Sequence, residues 1–319
     1  MSNQSRRSFL KQSMTAGAAL AAAGPMAGRL LADDEEAKPG FKYAMCNETF
    51  VDWPQRKIFN FLGKCGYTGV EIAPFTINND VTKVSAKQRK RLRKQAEDAG
   101  IEIVGLHWLL SKTEGLHLTS PDKAVRAKTA KYIAALADFC GDLGGTAMIF
   151  GSPKQRNIPE GVTREDAIKY AAEVLQEAMP TLAKRKVVLG LEPLGPKETN
   201  FMATTAEALQ VAKAVNSPNC KLMLDCKAMI HEKESIPELI HKYGKWTIHF
   251  HANDPNLQGP GMGELDFVPI FRALKDIDFK GWVSVETFDY TPGPEKIARD
   301  SLRYMQRVER KVFGDKKMT

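Results

Sequence analysis

The stretch VVLGLEP, residues 187–193, is a short apolar run that contains β-branched valines and carries a glutamate near its end. Runs of this length and composition are typical of strands that are buried on both faces of a parallel sheet. An amphipathic segment of helical period follows at 205–215. A strand followed by a helix is the repeating unit of parallel α/β folds, so this stretch predicts that fold class.

The same unit occurs eight times between residue 41 and the end of the chain. We predict strands at 42–46, 69–73, 102–108, 147–151, 187–193, 221–225, 247–251 and 283–288. We predict helices at 55–62, 86–99, 123–143, 164–183, 205–215, 236–243, 269–274 and 294–308. Eight such units are typical of an α/β protein with a (β/α)8 TIM barrel of about 250 residues. A doubly wound open sheet is the alternative, but the turn at 46–50 lacks the glycines of a dinucleotide-binding turn.

The composition is that of one globular domain. The chain has 319 residues, of which 43% are hydrophobic and 26% are charged, and this is enough apolar material for a full core. Its formal net charge is +8, but four positive charges lie in the first 32 residues and leave +4 for the remainder. An excess this small gives no reason to expect a nucleic-acid partner.

The first 32 residues predict an export signal. The paired Arg6 and Arg7 precede an Ala/Gly-rich run at 16–27, and this pattern resembles a twin-arginine signal. Glycine and proline interrupt the apolar run, so no stable membrane span is expected. We therefore predict a periplasmic or otherwise exported protein with an export signal at 1–32, a linker at 33–40 and a barrel domain at 41–319. The cleavage site and a possible homo-oligomer stay open.

The last four predicted strands each end in an ionisable residue of the same orientation. Side chains alternate in and out along a strand, and Leu189 and Leu191 suit the outward positions beside the helices, so Glu192 points inward. The same alternation places inward Asp225, His249, His251 and Glu286. Barrel enzymes carry reactive groups at the carboxyl ends of their strands, so we expect these side chains to converge there.

Three carboxylates at one barrel mouth require a counter-charge, because burying an unpaired charge costs several kcal/mol or more. Carboxylate oxygens and one imidazole nitrogen are ligands that Mn²⁺, Mg²⁺ or Co²⁺ accept, whereas a closed structural zinc site would use thiolates. The sequence therefore predicts a divalent metal ion among these side chains. A capped or salt-bridged carboxylate is the simpler interpretation of each residue alone, but it does not account for four consecutive strands.

Four segments resemble the metal-ligand segments of a known family. They are Leu191-Glu192-Pro193, Leu224-Asp225, His249-Phe250-His251 and Ser284-Val285-Glu286-Thr287, and their spacing matches as well. The family is that of the xylose isomerase-like sugar isomerases and epimerases, which includes tagatose/psicose 3-epimerases and hydroxypyruvate isomerases. The resemblance extends over roughly residues 41–310.

This resemblance implies a cofactor, a site and a reaction. The cofactor is a divalent ion, in first place Mn²⁺, with Mg²⁺ or Co²⁺ as alternatives. Its ligands would be Glu192, Asp225, His251 and Glu286. Glu192 and Glu286 would also be the catalytic bases, and Glu198 would help to orient the site. The implied function is a sugar isomerase or epimerase that moves a proton next to a carbonyl of a small carbohydrate through a metal-stabilised enediolate.

Two departures from the family leave the substrate open. Epimerases of this type tend to carry a histidine three residues after the aspartate ligand, where this chain has Ala228, and the arginine often found after the histidine ligand is missing. Lys227 could replace that histidine as a donor to a substrate oxygen, or it could be a surface lysine. A metal-dependent lyase or dehydratase on a keto-sugar or keto-glycoside, and a non-catalytic sugar-binding module, therefore remain as alternatives.

Three further residues near the predicted rim are candidate substrate-binding residues. His107 on the third strand could bind a hydroxyl group, act as an acid, or be a satisfied core histidine. Glu71 on the second strand could point inward, although pairing with a lysine is the simpler interpretation. Lys154, in the loop after the fourth strand, could hold an anionic group or be solvated. Because we expect export, an uncharged sugar is favoured over a sugar phosphate.

Overall fold

The strands close into one parallel barrel. The structure is a computed structural model and describes residues 40–314. Its strands lie side by side in chain order, and the last pairs with the first. They are β1 Lys42–Cys46, β2 Gly69–Ile72, β3 Glu102–Leu106, β4 Ala147–Phe150, β5 Val188–Leu191, β6 Cys220–Asp225, β7 Thr247–Ala252 and β8 Trp282–Val285. The predicted TIM barrel is confirmed, whereas the predicted export signal lies outside the described residues.

Helices follow the strands along the chain. They are α1 Gln55–Cys65, α2 Ala86–Asp98, α3 Lys123–Leu143, α4 Arg164–Arg185, α5 Thr205–Val215, α6 Cys226–Met229, α7 Ile236–Tyr243, α8 Phe267–Asp276 and α9 Pro294–Phe313. Local sequence sets their ends. The Asp122 carboxylate accepts a hydrogen bond from the Ala124 backbone N–H where α3 begins, and Gly144, at φ 90°, ends that helix. Within residues 40–314, no helix combines the length and the apolar character that a membrane span requires.

The interior of the barrel changes character along its axis. Near the amino ends of the strands, small clusters of apolar side chains pack inside: Ala44, Val104 and Trp282 form one, and Ala147, Ile149 and Met223 with Ile248 form another. Gly190 belongs to this level, because a Cβ there would lie 3.3 Å from the Met223 Cβ. Near the carboxyl ends the interior side chains are carboxylates and imidazoles.

Five observed strands, β2 to β5 and β8, end earlier than predicted. β5 and β8 stop at Leu191 and Val285, whereas the predicted spans are 187–193 and 283–288. The next residue of each still bonds to its neighbour, since the backbone N–H of Glu192 donates to the Phe150 carbonyl and that of Glu286 to the Ala252 carbonyl. The in-and-out alternation therefore extends one residue beyond each strand, which is why it gives the correct orientation for both glutamates.

Candidate active site

Four ionisable side chains converge at the carboxyl ends of β5 to β8. They are Glu192, Asp225, His251 and Glu286, here called the rim quartet. One ligand atom of each lies within 4.8 Å of a ligand atom of every other. All four side chains are buried. The structure thus brings together the four residues that the sequence analysis places at one rim.

The imidazole of His251 faces the three carboxylates with one nitrogen. Its Nδ1 lies 2.9 Å from Glu286 Oε2, and 3.9 Å from both Glu192 Oε1 and Asp225 Oδ2. Its Nε2 lies 3.1 Å from Glu71 Oε2 on the opposite side of the ring. A neutral ring that donates Nε2–H to Glu71 leaves the Nδ1 lone pair free for a ligand bond, and metal-binding histidines are commonly held in this way.

Glu71 therefore lies behind the quartet. It is fully buried, and the same Oε2 is also 2.9 Å from His249 Nε2. Burial raises the pKa of Glu71, but the two histidines lower it by more, so the carboxylate stays ionised. The expected pairing of Glu71 with a lysine is wrong, because its partners are two histidines of β7. As a candidate substrate-binding residue it is not among those that line the cleft.

Burial and neighbouring charges shift the pKa values of the quartet in different directions. Burial and the neighbouring Glu286 raise the pKa of Glu192 and that of Asp225. Burial also raises the pKa of Glu286, but His251 and His107 lower it by more. Glu286 and Glu71 outweigh burial at His251 and raise its pKa. The raised pKa values of Glu192 and Asp225 mean that their ionised forms lack a sufficient counter-charge in the protein alone, and a bound cation would supply it.

Backbone and amide groups fix the Asp225 carboxylate. Its Oδ1 accepts from the backbone N–H of Ala228 at 2.8 Å, and its Oδ2 accepts from the Asn253 side chain at 2.6 Å. The aspartate thereby caps the N-terminus of α6. Ala228 contributes to the site through this backbone contact.

The loop after β4 makes room for Glu192 and supports its main chain. A Cβ on Gly151 would lie 1.7 Å from Glu192 Oε2, so any larger residue would displace the carboxylate. Arg156 is fully buried and donates to the carbonyl oxygens of Phe150 and Glu192. Burial lowers the pKa of Arg156 to about 10, which still leaves it charged at neutral pH. Lys154 of the same loop is exposed and does not line the cleft.

A narrow cleft leads to the quartet. It encloses about 10 Å³, the space of one water molecule or ion, so a sugar requires a lining side chain to move. Lys227 lines the cleft and is 8% exposed, so it is not a surface lysine. Its Nζ lies 2.8 Å from both carboxylate oxygens of Glu198 and 4.1 Å from the centre of the Phe288 ring. The structure thus joins two of the predicted substrate-binding residues at the mouth.

Trp108 and Glu48 are among the residues of the site that the sequence analysis does not predict. The indole Nε1 of Trp108 donates to Glu286 Oε1 at 3.1 Å. Glu48 lies 2.6 Å from His107 Nε2 through its Oε2, and both side chains are buried. Glu48 comes two residues after Cys46, the last residue of β1. The in-and-out alternation that orients Glu192 and Glu286 therefore also indicates Glu48, if it is continued into the turn at 46–50.

A closed eight-stranded barrel with ionisable groups at the carboxyl ends of its strands has the architecture of a TIM-barrel enzyme. Comparison with known sequences makes this specific: the profile of the xylose isomerase-like TIM barrel family matches residues 59–308. The chain belongs to that family.

Relatives of known name are isomerase-class enzymes, as the sequence predicts for this chain. The D-psicose 3-epimerase of Agrobacterium fabrum is 31% identical over 242 residues, which cover 73% of this chain and 78% of the relative. The L-ribulose 3-epimerase of a Methylomonas species is 28% identical over 246 residues, covering 74% and 80%. A crystal structure of D-psicose 3-epimerase in the presence of D-fructose superimposes with a TM-score of 0.74, covers 86% of this chain and 100% of the other, and at 22% identity supports the fold.

Proposed function

We propose that this protein is a divalent-metal-dependent sugar epimerase that removes and returns a proton on a carbon next to a carbonyl group. The observation that carries the proposal is the rim quartet, in which two glutamates from separate strands lie within reach of one aspartate and one imidazole nitrogen. The names of the relatives support the reaction class. Tagatose, psicose and ribulose are therefore the first ketoses to test.

The residues of the quartet fit a divalent ion. Three carboxylate oxygens and one imidazole nitrogen suit Mn²⁺, Mg²⁺ or Co²⁺, and Mn²⁺ is our first choice. The His251 Nδ1 already faces the carboxylates because Glu71 holds Nε2. A divalent ion held by these four residues would offset the negative charge that forms on the substrate oxygens as the proton leaves.

The two glutamates are the proton-transfer groups of this proposal. Glu192 follows β5 and Glu286 follows β8, so their carboxylates come from different sides of the barrel mouth. One carboxylate removes the proton and the other returns it, which allows the configuration at the carbon to invert. Trp108 holds one oxygen of Glu286 and leaves the other facing His251.

Lys227 and Glu198 are the proposed substrate-binding pair at the mouth. Burial lowers the pKa of Lys227, but Asp225 and Glu198 raise it by more, so the ammonium group stays charged. A charged donor at this place can bond to a carbonyl or hydroxyl oxygen of the sugar. In this role it replaces the histidine whose position Ala228 occupies.

Deuterium incorporation from D₂O tests the proposal. The Mn²⁺-loaded protein is incubated with D-psicose, D-fructose, D-tagatose and L-ribulose, and deuterium and the epimeric sugar are measured by mass spectrometry and chromatography. We expect one deuterium per turnover at the carbon next to the carbonyl, and none after removal of the metal. Tight sugar binding without any exchange would instead support a non-catalytic binding module. Loss of a leaving group would support a lyase.

We also propose export by the twin-arginine route, on the strength of the sequence pattern in residues 1–32. Cell fractionation of the full chain in a bacterial host is the test. The double variant Arg6→Lys with Arg7→Lys should remain in the cytoplasm while the natural sequence reaches the periplasm. An equal distribution of both proteins would contradict this proposal.

A further inference from the structure

A second pair of buried ionisable groups lies beside the rim quartet. Glu48 belongs to the short 3₁₀ helix Asn47–Phe50 that follows β1, and His107 directly follows β3. Glu48 Oε2 and His107 Nε2 are 2.6 Å apart, and the two side chains are 7% and 1% exposed. Neither residue is one of the two proton-transfer groups proposed above.

Each member of this pair has one polar atom without a partner. Glu48 Oε1 and His107 Nδ1 are buried and make no hydrogen bond within the described part of the chain. A buried donor or acceptor that lacks a partner is costly, and in native proteins it usually marks a place for a water, an ion or a ligand. The pair therefore requires a further polar group next to it.

The chemistry of the two atoms indicates which group fits. Nε2 of His107 donates to Glu48 Oε2, so the free Nδ1 accepts a hydrogen bond when the ring is neutral and donates one when the ring is protonated. The other free atom, Glu48 Oε1, is an acceptor. A hydroxyl group both donates and accepts, and sugars carry many of them.

The position of the pair relates it to the substrate. One ligand atom each of Glu48, His107 and Glu286 lies within 4.8 Å of the others. Trp108 follows His107 directly, lines the cleft and donates to Glu286. Its backbone is left-handed, with φ 51°, which is unusual for a bulky residue and is found where surrounding structure imposes it. Glu286 lines the same cleft, so the pair lies next to residues that line it.

We propose that Glu48 and His107 form a second subsite that binds a hydroxyl group of the sugar beyond the carbonyl and its neighbouring hydroxyl. The proposal rests on the proposed function and extends it from the reacting carbons to the length of the substrate. Ketoses of five or six carbons have such further hydroxyls. Dihydroxyacetone, with three carbons, has only the carbonyl and the hydroxyls next to it.

This difference supplies the experiment. Proton–deuterium exchange is measured for D-psicose and for dihydroxyacetone with the Mn²⁺-loaded natural protein and with Glu48→Gln and His107→Asn. We expect each variant to lower kcat/KM for D-psicose by about tenfold or more, mainly through KM, because a hydrogen bond to the substrate is lost. Exchange from dihydroxyacetone should fall less than exchange from D-psicose in both variants, because any effect of His107 on the pKa of Glu286 applies to either sugar. Asp52→Asn, an exposed change in the same loop, is the control and should affect neither sugar.

Several outcomes would overturn the subsite. Equal losses on both sugars would mean that the pair acts on the quartet rather than on a distant hydroxyl, and no loss on either would mean that only water occupies the space. Two bound Mn²⁺ per chain, with one lost in Glu48→Gln, would assign the space to a second ion. If the natural protein exchanges no proton with any ketose, the proposed function fails separately. The subsite is then tested by calorimetry of D-psicose binding. It is overturned if the natural protein does not bind D-psicose, or if Glu48→Gln binds it with the same affinity.

Discussion

The two ends of the barrel interior are built from opposite kinds of side chain. At the amino end, apolar groups such as Met223, Ile149 and Trp282 fill the space and need no polar partner. At the carboxyl end, five buried carboxylates lie close together: Glu48, Glu71, Glu192, Asp225 and Glu286. Apolar packing stabilises the fold without any polar partner. Buried carboxylates destabilise it unless histidines, backbone donors or a cation compensate their charge. Stability and chemistry are therefore expected to depend on different ends of the same strands.

Removing a charge from the polar end should have the largest effect on activity. Glu286→Gln keeps the shape of the side chain and removes the base, so we expect proton exchange to fall by about 10³-fold or more. The thermal unfolding midpoint of the metal-free protein should fall only slightly, because the amide keeps the volume of the side chain but loses the charge that faces His251. Glu177→Gln on the exposed face of α4 serves as control. Full exchange activity in Glu286→Gln would remove Glu286 from the mechanism.

A cavity at the apolar end should lower stability and leave metal binding unchanged. Met223→Ala removes a fully buried side chain two residues below Asp225 and should lower the free energy of unfolding by about 2–5 kcal/mol. The number of Mn²⁺ ions bound per chain should not change. Urea denaturation and elemental analysis measure the two quantities. Val51→Ala, at an exposed position, should cost less than about 0.5 kcal/mol. Loss of metal by Met223→Ala would show that the two ends are not independent.

Glu71 lies behind the rim quartet at the polar end, and its substitution should have a smaller effect. In Glu71→Gln a neutral amide replaces the carboxylate that accepts from His251 Nε2, so the imidazole is oriented less firmly and is a weaker ligand. The affinity for Mn²⁺ should therefore fall by about 10- to 100-fold. Competition with a fluorescent chelator measures this change. Glu160→Gln, an exposed change, controls for loss of surface charge. An unchanged affinity would mean that the ring of His251 is held by β7 alone.

The smallest effect concerns pH. Burial and Glu286 raise the pKa of Glu192 above its usual value, so in the metal-free protein this carboxyl keeps its proton to higher pH than an exposed glutamate does. Metal binding must displace that proton, and the affinity should therefore rise with pH by up to about tenfold per unit for each proton released. Calorimetry in buffers of different ionisation enthalpy counts the protons. An affinity for Mn²⁺ that falls with rising pH would contradict the assignment of Glu192 as a metal ligand that must lose its proton.

The sequence predicts those parts of the molecule that depend on local periodicity. The alternation of strands and helices gives the barrel, and the alternation of side chains gives the orientation of Glu192, Asp225, His251 and Glu286. Contacts across the barrel have no such signal. The contact of Glu71 in β2 with two histidines of β7 joins strands far apart in the chain, and no local pattern indicates it. Local sequence therefore predicts the ordinary partner of a glutamate, a lysine, in its place.

Averages over the chain also conceal local features. Net charge hides the basic tract at 87–94 in α2, where six of eight residues are lysine or arginine, so the absence of a nucleic-acid partner stays a prediction. In the loop after β4, Lys154 was singled out for its charge, but Arg156 is the buried one. Sequence alone does not distinguish a solvated cation from one that holds the backbone.

The hydrogen bond from Trp108 to Glu286 has a practical consequence. An indole ring placed against the proposed catalytic base acts as a built-in optical probe, because tryptophan emission responds to charge beside the ring. The other tryptophans, Trp53, Trp246 and Trp282, do not line the cleft. Ion and sugar binding can then be followed in the unlabelled protein from changes in its fluorescence, with Trp108→Phe as the silent reference.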